Sequence, residues 1–205
     1  MKTNLLLPSP KLLLCRALFA SVLLLLRDLA PGQELLKNPD FESPLPVSDP
    51  TAGWALVYAD GGPGDFAIAG QTTEASRCCG GRGAHLRPNN WNFAHAYFRQ
   101  VVTNLTAGAR YTLTIQKMRA GFQNYVDNDS LRVYMAALSG SASNVVAGNA
   151  LSNGPYSLTI TCAATRQIEV RLHMWKRSMS NESSEDMKHA KCSAWFDDIS
   201  LTLTP

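Results

Sequence analysis

The sequence predicts an all-β fold, an antiparallel β-sandwich of the jelly-roll kind with about nine strands in one domain. Apolar and polar residues alternate at period two along several runs, most clearly Tyr111-Thr-Leu-Thr-Ile115. Turn-forming clusters separate these runs, among them Asp60-Gly-Gly-Pro-Gly-Asp65, Thr106-Ala-Gly108 and Ser152-Asn-Gly-Pro155. After residue 32 no amphipathic helical stretch of useful length interrupts them.

The first 32 residues read as a signal peptide and not as part of the fold. Lys2, Lys11 and Arg16 supply a basic start, and Ala17 to Leu26 is an apolar core of about ten residues. A membrane-spanning helix needs about 20, and Arg27 and Asp28 close the run early. Ala30-Pro31-Gly32 offers small residues for cleavage before Gln33, Asp28-Leu29-Ala30 offers a second position, and an uncleaved anchor is the alternative. Cleavage before Gln33 places the mature, secreted chain at residues 33–205 and leaves 15 basic against 15 acidic residues. A neutral chain lacks the footprint of a nucleic-acid binder, so that partner class is excluded. No later segment reaches spanning length, so membrane insertion of the mature chain is not expected.

The strands are expected in the following order. Leu35 to Asn38 opens the sandwich, and Trp54 to Tyr58, Ala84 to Arg87 and Ala96 to Val102 are shorter candidates. Tyr111 to Ile115, Leu131 to Met135, Ser157 to Ile160 and Ile168 to Met174 carry the alternation, and Trp195 to Leu203 closes the chain. Trp54 and Trp195 are expected in the core. Lys176 to Lys191 is polar and charged between two patterned strands, and reads as a surface loop that is either functional or a solvated insertion.

Four cysteines follow the leader: Cys78, Cys79, Cys162 and Cys192. In an exported chain they are candidates for two disulfides, with three possible connectivities. A bridge between the neighbours Cys78 and Cys79 would be strained, so each is expected to reach Cys162 or Cys192. Buried free thiols are the alternative. Adjacent cysteines lack the gap that zinc ligation favours.

The ordered set of short motifs resembles the carbohydrate-binding modules of families 4 and 9, in the galactose-binding-like β-sandwich superfamily. It comprises Leu35-Leu-Lys-Asn-Pro-Asp-Phe-Glu42, Gly53-Trp54, Gly83-Ala-His-Leu-Arg87, Phe98-Arg-Gln-Val101, Leu105-Thr-Ala-Gly108, Tyr111-Thr-Leu113 and Phe196-Asp-Asp-Ile199. The resemblance implies a structural Ca2+ between the opening and closing strands, with Glu42 and Asp197 as side-chain ligands and Asp40 and Asp198 as lesser candidates. Calcium takes six to eight oxygen ligands, and backbone carbonyls would complete such a shell.

Strand parity then marks a ligand face. With Tyr111, Leu113 and Ile115 inward, Gln116 and Met118 emerge on the opposite side of their sheet unless a bulge intervenes. The same parity turns Arg132 and Tyr134 outward on the next strand, and Glu169, Arg171, His173 and Trp175 on a later one. Tyr97 extends that surface. Aromatic rings suit the apolar faces of pyranoses, while Arg, Gln and Glu bond hydroxyls. Trp91, Phe122 and Tyr125 form an alternative site at the rim.

The expected function is therefore a secreted, non-catalytic module that binds a polysaccharide or glycan. An adhesion or matrix module without glycan binding is one alternative. A polysaccharide lyase is another, with His173 as base beside Arg171 and Tyr134. The four histidines (His85, His95, His173, His189) show no metal-ligand spacing, and Asp127 and Asp129 have no partner for a glycosidase pair.

Overall fold

The structure, a computed structural model, describes residues 32–72, 82–88, 94–121, 131–147, 154–176 and 193–205. The leader, Cys78, Cys79, Cys192, the 177–192 loop and the rim aromatics Trp91, Phe122 and Tyr125 lie outside the described residues.

Among the described residues ten strands form two five-stranded antiparallel sheets, so the all-β sandwich expectation holds. They are β1 (Ala55–Asp60), β2 (Phe66–Thr72), β3 (Gly83–Pro88), β4 (Ala94–Val102), β5 (Arg110–Gly121), β6 (Leu131–Ser139), β7 (Ala142–Ala147), β8 (Tyr156–Thr161), β9 (Ile168–Lys176) and β10 (Ser193–Leu203). The first sheet runs β1-β4-β9-β6-β7 and the second β2-β3-β10-β5-β8. Only β2–β3 and β6–β7 connect neighbours within a sheet; every other connection passes between sheets.

Alternation explains the core. Tyr111, Leu113 and Ile115 of β5 and Ile199 and Leu201 of β10 face Phe98 of β4, Val133 and Met135 of β6, and Val170, Leu172 and Met174 of β9. Trp54 is fully buried, lies against buried Phe41 with ring centroids 5.3 Å apart and tilted by 38°, and donates its Nε1–H to Asn38 O at 3.0 Å.

The first and last described segments lie side by side. The expected strand at Leu35 to Asn38 is an irregular segment, yet it is tied to both sheets. Leu35 N donates to Leu201 O at 3.1 Å, and Ile199 N donates to Pro39 O at 2.9 Å. Buried Gln100 of β4 clasps Lys37 by accepting from its N at 2.7 Å and donating to its O at 2.9 Å. The acidic turn of Asn38 to Glu42 is closed by the Asn38 side chain, which bonds Ser43 N and O.

Three expectations need correction. Met118 is fully buried, because the alternation breaks at Asp198, whose φ of 52° turns Phe196, and Met118 opposite it, into the core. Phe196 thereby takes the place expected for Trp195, which points outward and stacks on His85 at 5.0 Å. Cys162 is a buried free thiol and no disulfide partner.

Candidate functional site

The outer face of the first sheet gathers the polar aromatic residues. Cross-strand register sets them in rows. His95 (β4), Trp175 (β9) and Arg132 (β6) form the first row. Val57 (β1), Tyr97, His173 and Tyr134 form the second, and Ala55, Arg99, Arg171, Ala136 and Val145 the third. Val101, Glu169 and Leu138 form a fourth. Directly opposed side chains on one face stand about 4.5–5.5 Å apart, so each row behaves as a contact chain.

The second row is a stack of rings. His173 lies between Tyr134, at 4.3 Å and 11° from parallel, and Tyr97, at 4.5 Å and 33°. Only 5% of His173 is exposed, so it orders the two tyrosines more than it meets solvent. His95 Nε2 stands 3.0 Å from His173 Nδ1 and 3.5 Å from Tyr134 Oη. Burial, with His95 and Arg171 adding like charge, lowers the His173 pKa to about 3. Burial also lowers His95, against the opposing pull of Asp60, whose carboxylate is 4.0 Å from Nδ1. Both imidazoles are therefore neutral at pH 7.

Two guanidiniums rest on rings. Arg132 stands over Trp175 at 5.2 Å and Arg171 over Tyr97 at 5.1 Å, both within cation–π range. Arg171 Nε donates to Glu169 Oε1 at 2.6 Å, and Arg99 Nη1 lies 3.8 Å from the same oxygen. Six of the seven sugar-site candidates thus share this face: Trp175, Arg171, His173, Tyr134, Arg132 and Tyr97. Gln116 does not join them. It is exposed on β5, in the second sheet. His95 and Arg99 belong to the cluster although sequence reasoning did not select them. Their signal was present in the alternation of Ala94-His-Ala-Tyr-Phe-Arg99, which puts both on the Tyr97 side.

The acidic residues near the chain ends are arranged differently from a carboxylate cage. Asp197 is buried, and Lys117 Nζ bridges its Oδ2 at 3.3 Å and Asp198 Oδ2 at 2.8 Å. Burial and the adjacent Asp198 charge push Asp197 up to about 6. Glu42 Oε1 accepts from Arg82 N at 3.3 Å. Among the described residues no three His, Cys, Asp or Glu side chains converge as metal ligands. The cation beside Asp197 is an ammonium, so Glu42 and Asp197 by themselves fit a divalent ion poorly.

On the second sheet, fully buried His85 finds no hydrogen-bond partner for either ring nitrogen, and nor does Trp195 Nε1. Desolvation and nearby Arg87 lower His85 to about 4. No helix among the described residues is long and apolar enough to cross a membrane.

The fold has solved counterparts. The structure of TmCBM61 in complex with β-1,4-galactotriose matches with a TM-score of 0.53 and 13% identity, over 84% of this chain and 100% of that one. The cleaved K3 adhesin domain of Lys-gingipain from Porphyromonas gingivalis W83 scores 0.42 at 14% identity, covering 84% and 99%. The enzymatically active domain of bacteriophage CBA120 tailspike protein 4 scores 0.45 at 10%, covering 83% of this chain and 21% of that one. At these identities the likeness is one of fold, and only the first score is high enough to carry it. The chain shares its fold with that carbohydrate-binding module. No protein-family model and no curated protein sequence matches the chain.

Proposed function

We propose that this chain is a secreted, non-catalytic module that binds a polysaccharide or glycan across the outer face of the first sheet. The observation that carries the reading is the ordered row Tyr97–His173–Tyr134, flanked by Arg132 on Trp175 and Arg171 on Tyr97. Ring contacts and charge-assisted bonds hold these donors in place before any ligand arrives, which lowers the ordering cost of binding. The fold shared with a module that holds β-1,4-galactotriose supports the same reading and names neutral galactan as a first ligand to try.

The lyase reading needs His173 as an accessible base. A ring that is 5% exposed, with Nδ1 against His95 and a pKa near 3, argues against that role. An adhesion role without sugar leaves the alignment of donors on one face unexplained. Calcium enters only in restricted form. Glu42 and Asp197 remain the proposed ligands with main-chain carbonyls, and Lys117 must release Asp197 for them to serve.

A glycan array on the mature protein, run with and without chelator, tests the reading. Binding to at least one polysaccharide family is expected, and a blank array would sink it. A melting temperature unchanged by chelator and by added Ca2+ would remove calcium while leaving the sugar reading intact.

A further inference from the structure

The third row carries more positive charge than its neighbours cancel. Arg99 and Arg171 face each other across β4 and β9, and the one described carboxylate beside them is Glu169. One anion between two guanidiniums leaves a positive charge uncompensated in a half-buried setting, where pairing is stronger than in bulk water. Neutral His173 in the next row adds nothing to it.

The orientation of Arg171 is fixed. Its Nε donates to Glu169 and its guanidinium plane rests on Tyr97. Among the described residues its two Nη groups donate to nothing, so a parallel pair of N–H donors is open on this side chain. That fork matches the two oxygens of a carboxylate, or two of those on a sulfate. Its row neighbours Ala55 and Ala136 are small, and Val145, 55% exposed beyond Ala136, offers apolar surface to a ring carrying the anion.

We propose that the Arg99–Arg171 row is a receptor for an oxyanion borne on a sugar ring, the carboxylate of a uronate or a sulfate ester, so that the preferred ligand is an acidic glycan. This rests on the glycan-binding reading above and narrows it. The guanidinium fork grips the anion while Tyr97 and Val145 flank the ring that carries it.

The test is calorimetric titration of the mature protein with polygalacturonate, with the same polymer after carboxyl reduction, and with a sulfated galactan, each in low salt. At least one anionic polymer is expected to bind about tenfold more tightly than the neutral one, and Arg171→Gln to abolish that preference. The tighter of the two anionic polymers distinguishes carboxylate from sulfate. If Arg171→Gln fails to fold, Arg99→Gln carries the test, since its guanidinium makes only the 3.8 Å contact. Equal binding of neutral and anionic polymers overturns the acidic-glycan inference and leaves glycan binding standing. Binding to none of them, together with a blank array of neutral glycans, overturns both.

Discussion

His95 Nε2 and His173 Nδ1 stand 3.0 Å apart across the seam between β4 and β9. One nitrogen donates and the other accepts, so a second proton would set N–H against N–H. The folded protein therefore resists protonation of His173, whose pKa falls to about 3, while the unfolded chain protonates near 6.5. Between those values the unfolded state holds the extra proton, so this contribution is full above pH 6.5 and is lost as the pH falls. His85, at about 4, acts in the same direction. Asp197 acts oppositely: raised to about 6, it keeps its proton in the folded state and costs stability as the pH rises from 3.8 to 6. Two histidines outweigh one carboxylate, so stability should rise from pH 4.5 to 7 by on the order of a few kcal/mol. Urea midpoints at the two pH values measure it. His173→Phe should shrink the difference, and an unchanged difference would contradict the assignment.

Lys117→Met should destabilise the protein by about 1–3 kcal/mol at pH 7.5, because it strands buried Asp197 beside Asp198. The loss should be smaller at pH 5, where Asp197 is protonated when folded. A pH-independent loss in denaturant titration would mean the effect is packing alone.

Trp175→Ala removes the platform under Arg132 and should weaken glycan binding about tenfold with little change in melting temperature. Retained affinity in calorimetry would move the site away from the first row, toward the rim.

Gly154→Ala should destabilise by roughly 2 kcal/mol or more. Gly154 has φ 122°, and an added Cβ would come within 2.7 Å of Gln116 O. A thermal melt at the wild-type temperature would show that β5 can move aside.

The body of the fold was legible because β5, β6, β8 and β9 must bury every second residue. β2 and β7 were missed. Both are edge strands, and Phe66-Ala-Ile-Ala-Gly-Gln-Thr72 and Ala142-Ser-Asn-Val-Val-Ala147 lack the regular alternation that a half-buried strand imposes. The candidate face was readable from the parity of β6 and β9, which is why six residues assemble there. Parity failed at Met118 and Trp195 because one left-handed residue, Asp198, shifts the phase of two paired strands, and nothing in the residue types announces it. Gln116 was placed on a correct outward side of the wrong sheet, since period two reveals the face of a strand but not its neighbours. Cys162 is a buried free thiol, which composition alone does not reveal, since it counts thiols without their surroundings.

β10 lies in the middle of its sheet between β3 and β5, and Glu34 Oε1 accepts from Leu201 N across 167 residues of sequence. Without β10 the second sheet has a gap at its centre. Folding should be slow, as befits a chain dominated by distant contacts. A nascent chain halted before Ser193 would expose two unpaired central strand edges and invite aggregation.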